Sequence, residues 1–188
     1  IGSFSSVNAA FVRRKDAPAK TVDEMRTTPM NVGCSGRTSQ SYQSPALLKN
    51  LAGFKFNIIC GYPGSAEYVL ALEKGEIDMV SSAWNQWTSV HMDKIKSGAF
   101  VPVIQSGLRR HKDMPNIPLM QELVTDPKLK QVFEFASAGA AIGRALLAPP
   151  KVPQDRLDAL RAAFDKVIKD PELIAAAKKR GAELDPSP

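Results

Sequence analysis

Short apolar runs alternate along the chain with longer stretches in which apolar residues recur every three or four positions. The runs read as strands: Ala9 to Arg13, Met30 to Cys34, Phe56 to Cys60, Ile77 to Val80 and Val101 to Gln105. A capping-box pattern, Thr21-Val22-Asp23-Glu24, predicts a short helix from Thr21. A polar, flexible stretch, Ser35 to Ser44, leads into a helix marked by Leu47, Leu48 and Leu51 and stopped by Gly53. Pro45 belongs in its first turn or at a kink. Ser65 can cap a helix carrying Val69, Leu70 and Leu72 that ends at Gly75. MPNIP, Met114 to Pro118, reads as extended, because each proline keeps the residue before it out of the helical region. Asp126-Pro127 and Asp170-Pro171 each read as an N-cap followed by proline at the first helical position. Leu157, Leu160, Phe164 and Val167 form one stripe of a long amphipathic helix. Alternation of this kind predicts an α/β fold with a parallel sheet.

Composition narrows this only slightly. The 188 residues, 44% hydrophobic and 23% charged, fit one large or two small globular domains and exclude a disordered, collagen-like or coiled-coil chain. The longest uncharged apolar run, Ala138 to Ile142, is too short to cross a bilayer. At its start, IGSFSSVNAAFV lacks a basic stretch followed by an apolar one and reads as the interior of a longer polypeptide. A net charge of +6 permits an anionic partner without naming one. The basic clusters Arg13 to Lys15, Leu108 to Lys112 and Lys178 to Arg180 do not interleave with aromatics. They read as solvated surface, and no nucleic-acid partner is expected.

No motif calls for a metal or cofactor. His91 and His111 stand outside HExxH spacing, no CxxC exists, and both histidines read as surface residues. Cys34 and Cys60 close two strands expected to be neighbours, and unpaired, partly buried thiols are favoured over a bridge. A G-x-S-x-G elbow is missing: around Ser65 the residue two positions earlier is Pro63. The chain is therefore expected not to be an enzyme; a small-molecule enzyme with Ser65 as nucleophile is the competing reading.

Binding has better support. Two strands end in small polar turns that open helices, and in an open parallel sheet ligands sit at the carboxyl ends of strands. Helix N-termini there offer unpaired N–H groups to a carboxylate. Ser35, Gly36, Arg37, Thr38, Ser39 and Gln40 supply hydroxyls, flexible backbone and a fixed cation, and Gly64 and Ser65 repeat the pattern on the next turn. Ordinary capped loops account for these residues equally well. Ser82 and Trp84 follow another strand, where a serine can orient a ligand and a tryptophan can wall its cavity. Trp84 suits a ligand with an apolar or aromatic body, whereas Trp87 reads as core.

The order of several segments resembles the substrate-binding proteins of tripartite tricarboxylate transporters, the Bug or TctC-like receptors. The carriers are Y-x-G-S at Tyr62 to Ser65, L-x-x-G-E-I-D at Leu72 to Asp78 and the stretch Gly98 to Ile104. Further carriers are Met114 to Pro118, L-A-P-P-x-V-P at Leu147 to Pro153, and D-P-E-L at Asp170 to Leu173. The resemblance runs from about Asn8 to Asp185. It implies a type II periplasmic-binding fold, with residues 11–135 as a complete second lobe. Residues 1–10 and 136–188 would supply the crossing strands and C-terminal helices of an incomplete first lobe. By the same resemblance, the loop Ser35 to Ser39 and the turn Tyr62 to Ser65 touch a ligand carboxylate. Ser82 stands where many members carry an aspartate. The receptor would be periplasmic and would hand a small organic carboxylate to membrane transporter subunits. The Leu157/Phe164 face, lacking its cover, would pair with a partner chain or a second copy. The effector domain of a LysR-type transcription regulator, cytoplasmic and of similar length, is the alternative.

Overall fold

Alternation along Ala9–Arg14, the second strand, sorts the interior into two layers. Phe11 points to one face of the sheet and Ala10 and Val12 to the other, and all three are fully buried. A strand apolar on both faces needs helices on both sides, and it has them. The computed structural model describes residues 1–180, 182 and 184–186. Its strands are β1 (Gly2–Ser5), β2 (Ala9–Arg14), β3 (Met30–Cys34), β4 (Phe56–Cys60), β5 (Met79–Ala83), β6 (Phe100–Ser106) and β7 (Arg144–Leu146). Between and after them run α1 (Glu24–Thr27), α2 (Gln40–Leu51), α3 (Ser65–Lys74), α4 (Trp84–Val90) and α5 (Met92–Lys96). The remainder are α6 (Pro127–Ser137), α7 (Gly139–Ile142), α8 (Gln154–Val167) and α9 (Pro171–Lys179).

Five strands form one sheet in the order β4-β3-β5-β2-β6. β3 pairs in parallel with β4 and β5, whereas β2 runs antiparallel to both β5 and β6. The sheet is thus mixed, not parallel throughout: β2 enters from the crossing segment at its far end, so its direction opposes the rest. Met25, Met30, Leu48, Phe54, Met120 and Phe133 fill one layer; Leu72, Ile77, Trp87 and Phe100 fill the other. β1 and β7 make a separate antiparallel pair. Two connections join the parts, residues 6–8 outward and Gly143 on the return. Val7 N–H donates to Ala140 O at 2.9 Å, tying one connection to the other.

Several local expectations need correction. Helix α2 begins at Gln40, so half of the supposed flexible stretch is helical; Pro45 lies well inside it and leaves one carbonyl without its usual donor. MPNIP is a turn: Ile117 N–H reaches Met114 O at 3.2 Å, with Pro115 at the position its fixed φ suits. The first basic cluster is structural. Arg13 is buried and donates to the carbonyls of Lys20, Arg14 and Lys15, while Arg14 pairs with buried Asp78 at 3.0 Å. His111 is buried, and His91 is half-buried between Trp87 and Phe100. Phe164 is covered too, with its ring edge-on to Phe4 at 5.0 Å over Gly2, where any Cβ would overlap it. Asp126 and Asp170 cap their helices as expected. Among the described residues no helix is long and apolar enough to cross a membrane.

Candidate functional site

Parallel pairing of β3 with β4 decides where the polar turns lie. Their register sets Met30 beside Phe56 and Cys34 beside Cys60, so both strands stop at one level and their turns open side by side. Cys34 and Cys60 form a disulfide, with Cα atoms 4.5 Å apart. The expectation of free thiols is therefore wrong: in-register residues at the ends of a parallel pair come within bridging distance.

The first turn is organised by a residue the sequence reading passed over. Ser41 Oγ accepts from Ser35 N–H at 3.2 Å and lies 3.3 Å from Ser35 Oγ and 2.7 Å from Ser39 Oγ. Ser39 Oγ also donates to Gly36 O at 2.6 Å. Arg37, Thr38 and Gln40 are exposed on the rim of this knot. Tyr42 and Gln43 N–H both turn back to Ser39 O, which leaves the first amides of α2 facing outward. In the second turn Gly61 takes a positive φ of 120°, Tyr62 leans on the core, and Gly64 precedes α3, of which Ser65 is the first residue. Tyr68 N–H is bonded to Gly64 O, so the amides before it in α3 also point outward. The two helix starts therefore open side by side, a paired rim beyond the ends of β3 and β4.

Behind that rim, Tyr68, another residue missed, links α3 to β5. Its hydroxyl donates to Ser82 Oγ at 3.1 Å and is within reach of Ser65. Burial pushes the Tyr68 hydroxyl above the ordinary tyrosine value. Ser82 donates onward to Gln86 Oε1, so it braces the turn from inside rather than facing the rim. A hydroxyl-rich run and a tyrosine on the buried face of a helix were the available signals for Ser41 and Tyr68. Trp87 is core, as expected. Trp84 has a buried body, its Nε1 donates to Asp113 Oδ2 at 3.2 Å, and it lines a cavity at the crossing segments.

Strands β5, β2 and β6 end near the same edge, since Ala9 lies beside both Ala83 and Ser106. Asn8 fastens this corner. Its Nδ2 donates to Gln105 Oε1 at 2.9 Å and Arg109 O at 2.8 Å, and its carbonyl accepts from Trp84 N–H at 2.8 Å. Gln105, fully buried, also accepts from His111 N–H and donates to the carbonyls of Met114 and Ile117. Cavities of about 520 Å³ and about 90 Å³ flank Asn8; neither is lined by the turns at 35–40 or 62–65. The turns at 35–40 and 62–65 thus follow neighbouring strand ends, Trp84 lies at the crossing segments, and Ser82 is bonded to Tyr68 behind the second turn. Among the described residues no cluster of His, Cys, Asp or Glu is arranged to hold a metal.

No protein-family model matches the sequence, and no curated protein matches it. Solved structures do. A TctC solute-binding protein from Polaromonas superposes with a TM-score of 0.72 at 22% identity, covering 100% of this chain and 61% of its own. The periplasmic binding protein BugD gives 0.63 at 20% identity, over 98% of this chain and 59% of its own. An R. palustris protein solved with adipate gives 0.64 at 16% identity, over 98% of this chain and 58% of its own. The chain therefore spans about three fifths of the structures it matches. It has the fold of the TctC and Bug solute-binding proteins, a type II periplasmic-binding architecture present as one lobe and part of the other.

Proposed function

We propose that this chain is the ligand-gripping lobe and hinge of an extracytoplasmic receptor. In this reading it captures a small organic carboxylate between two lobes and delivers it to a tripartite membrane transporter. Residues 11–135 act as the second lobe, and residues 1–10 and 136–188 as the crossings and part of the first. The observation that carries the reading is the paired rim: two helix starts held level by in-register strands and a disulfide. Ser35, Gly36, Arg37, Thr38, Ser39 and Gln40 hold the acid group from one side, and Tyr62, Gly64 and Ser65 from the other. Trp84 walls the ligand body, and Ser82 braces Tyr68 behind Ser65. Structures of this fold solved with malate and with adipate support the choice of ligand class. A disulfide suits an oxidising compartment and so supports a periplasmic location. Chemistry of this kind needs amides, hydroxyls and a cation rather than a nucleophile, and lobe closure is the signal a transporter reads.

The apolar face left by Ile142, Leu147 and Leu160 pairs with a second copy. Thermal denaturation of the protein with a panel of small carboxylates, amines and neutral analogues tests the binding reading. Stabilisation by carboxylates should grow with concentration as mass action requires, and Arg37→Ala with Ser39→Ala should reduce it. A panel in which no carboxylate raises Tm sinks the proposal.

A further inference from the structure

His91 stands where two helices meet. Its N–H closes α4 on Trp87 O at 3.0 Å, and its carbonyl opens α5 by accepting from Lys94 N–H and Ile95 N–H, each at 3.1 Å. The imidazole lies between the rings of Trp87 and Phe100, with centroids 5.8 Å and 6.1 Å away. Its Nδ1 is 3.8 Å from Glu73 Oε1 on α3, and the same oxygen already holds the Lys94 ammonium. One carboxylate oxygen therefore faces two groups that can carry positive charge. Asp93, the second acid felt by the ring, is exposed on α5, and Trp87 of α4 and Phe100 of β6 bring no charge. Burial pushes the imidazole below its ordinary 6.5; Glu73 opposes that push, Lys94 adds to it and Asp93 opposes it. Helix α5 is lightly held. None of its five residues is buried; Ile95 packs partly on the core, and Lys94 lies over the Phe100 ring at 5.5 Å. Met92, next to His91, lines a cavity of about 460 Å³ that Ile174, Ala177 and Lys178 of α9 also line.

We infer that His91 is a proton-operated latch on α5: taking up a proton draws Glu73 from Lys94 to the imidazolium, frees α5, and so loosens one wall of the gap between α5 and α9. A single oxygen cannot satisfy two adjacent cations. The imidazolium is fixed between two rings and keeps the carboxylate, whereas the ammonium of Lys94, on its flexible stem, turns to water. The form in which Lys94 holds Glu73 takes up a proton less readily than the released form, so acid shifts the population toward release. The latch is set above the ordinary histidine value and opens as pH falls through the lowered one. Its effect on a ligand rests on the receptor reading, in which α9 belongs to the other lobe. Closing the lobes on a loosened α5 requires that helix to be ordered again, so affinity falls in acid.

Amide exchange of the full chain, read by NMR at about pH 7.5 and about pH 5 and corrected for intrinsic exchange chemistry, tests the latch. The amides of Ile95, Ser97 and Gly98 bond to His91 O, Asp93 O and Ile95 O. Relative to amides of α3, they should lose about tenfold or more in protection at the lower pH. The midpoint should coincide with the titration of the His91 Cε1 proton in the same sample, below the ordinary 6.5. His91→Gln, which cannot charge, should keep full protection at both values. Glu73→Gln, which removes the contested carboxylate, should lack it at both. The latch is overturned if wild-type protection is the same at both values, if its midpoint departs from the His91 titration, or if His91→Gln loosens in acid as the wild type does. Should the variants not fold, the wild-type midpoint alone decides. Calorimetry with adipate and malate then compares wild type with His91→Gln, so that the titration of the acids themselves cancels. The two proteins should bind alike at about pH 7.5, and the wild type about fivefold or more weakly at about pH 5. Equal affinities in acid with α5 loosened would overturn the effect on the ligand. Binding of neither acid at either value would count against the receptor reading, while the protection of α5 would still decide the latch.

Discussion

Ser41 holds the loop before it through a single hydroxyl oxygen, which Ser35 N–H, Ser35 Oγ and Ser39 Oγ all approach. Ser41→Ala leaves Ser35 N–H without its acceptor and Ser39 Oγ without the Ser41 donor in a partly buried place, so a loss of roughly 1–2 kcal/mol is expected, with faster amide exchange at Ser35. An exchange rate unchanged there would remove Ser41 from this role. Gly143 is constrained more tightly: its φ is +56° and a Cβ would overlap the Ser5 carbonyl. Gly143→Ala is expected to cost at least about 2 kcal/mol in chemical denaturation, through strain at both connections. Glu122 makes the acid limb of stability partly predictable. Burial alone would raise its pKa, but hydrogen bonds from Arg110 and from Leu119 N–H hold the carboxyl below the ordinary 4.5. The native state therefore binds fewer protons than the unfolded chain in that range. The contribution is complete above about pH 4.5 and is lost as pH falls through the depressed native value. Glu122→Gln should flatten the decline of Tm across that window and leave Tm at pH 7 less altered in shape than in level.

Within the five-stranded sheet, β4 is the most exposed strand: it sits at one end, with Asn57, Ile59 and Cys60 open to solvent. The bridge from Cys60 to Cys34 closes 26 residues and pins the end of this strand to the interior. Loop-closure entropy places its worth at about 3–4 kcal/mol, so Cys34→Ser/Cys60→Ser or a reductant should lower the unfolding free energy by that order. Ligand affinity should fall as well, because the bridge is what keeps the two turns level; unaltered affinity in a folded reduced protein would contradict this. The strands of the five-stranded sheet were the legible part of the sequence, since each is a short apolar run, and in β2 the side chains alternate between two buried layers, as Ala10, Phe11 and Val12 display. The start of α2 was not legible: Gln40 to Ser44 has weak helix formers and a proline close behind, and only the fit of Leu48 into the core holds it helical. The disulfide was hidden for a related reason. Pairing register is a tertiary fact, and two cysteines at strand ends do not disclose it.

At the scale of the molecule, the paired rim could be anticipated because caps and small residues announce helix starts, whereas its inner bracing by Tyr68 could not. The link between Asn8 and Gln105 was equally invisible, since the two lie about a hundred residues apart along the chain. The amphipathic stripe of α8 announced an uncovered face, yet Phe164 found Phe4 through a glycine no pattern flags. What stays open is Leu147, 81% exposed, with Ile142 and Leu160. If a second copy covers it, Leu147→Asp with Leu160→Asp should shift scattering mass from dimer to monomer with the fold intact; a wild type that is monomeric at all concentrations rules the pairing out.

The close passage of Gly143 over the Ser5 carbonyl puts the outgoing and returning connections in backbone contact, with no room for a side chain between them. In the receptor proposed above, such a lashing would let the jaws swing about one line and keep them from sliding past each other.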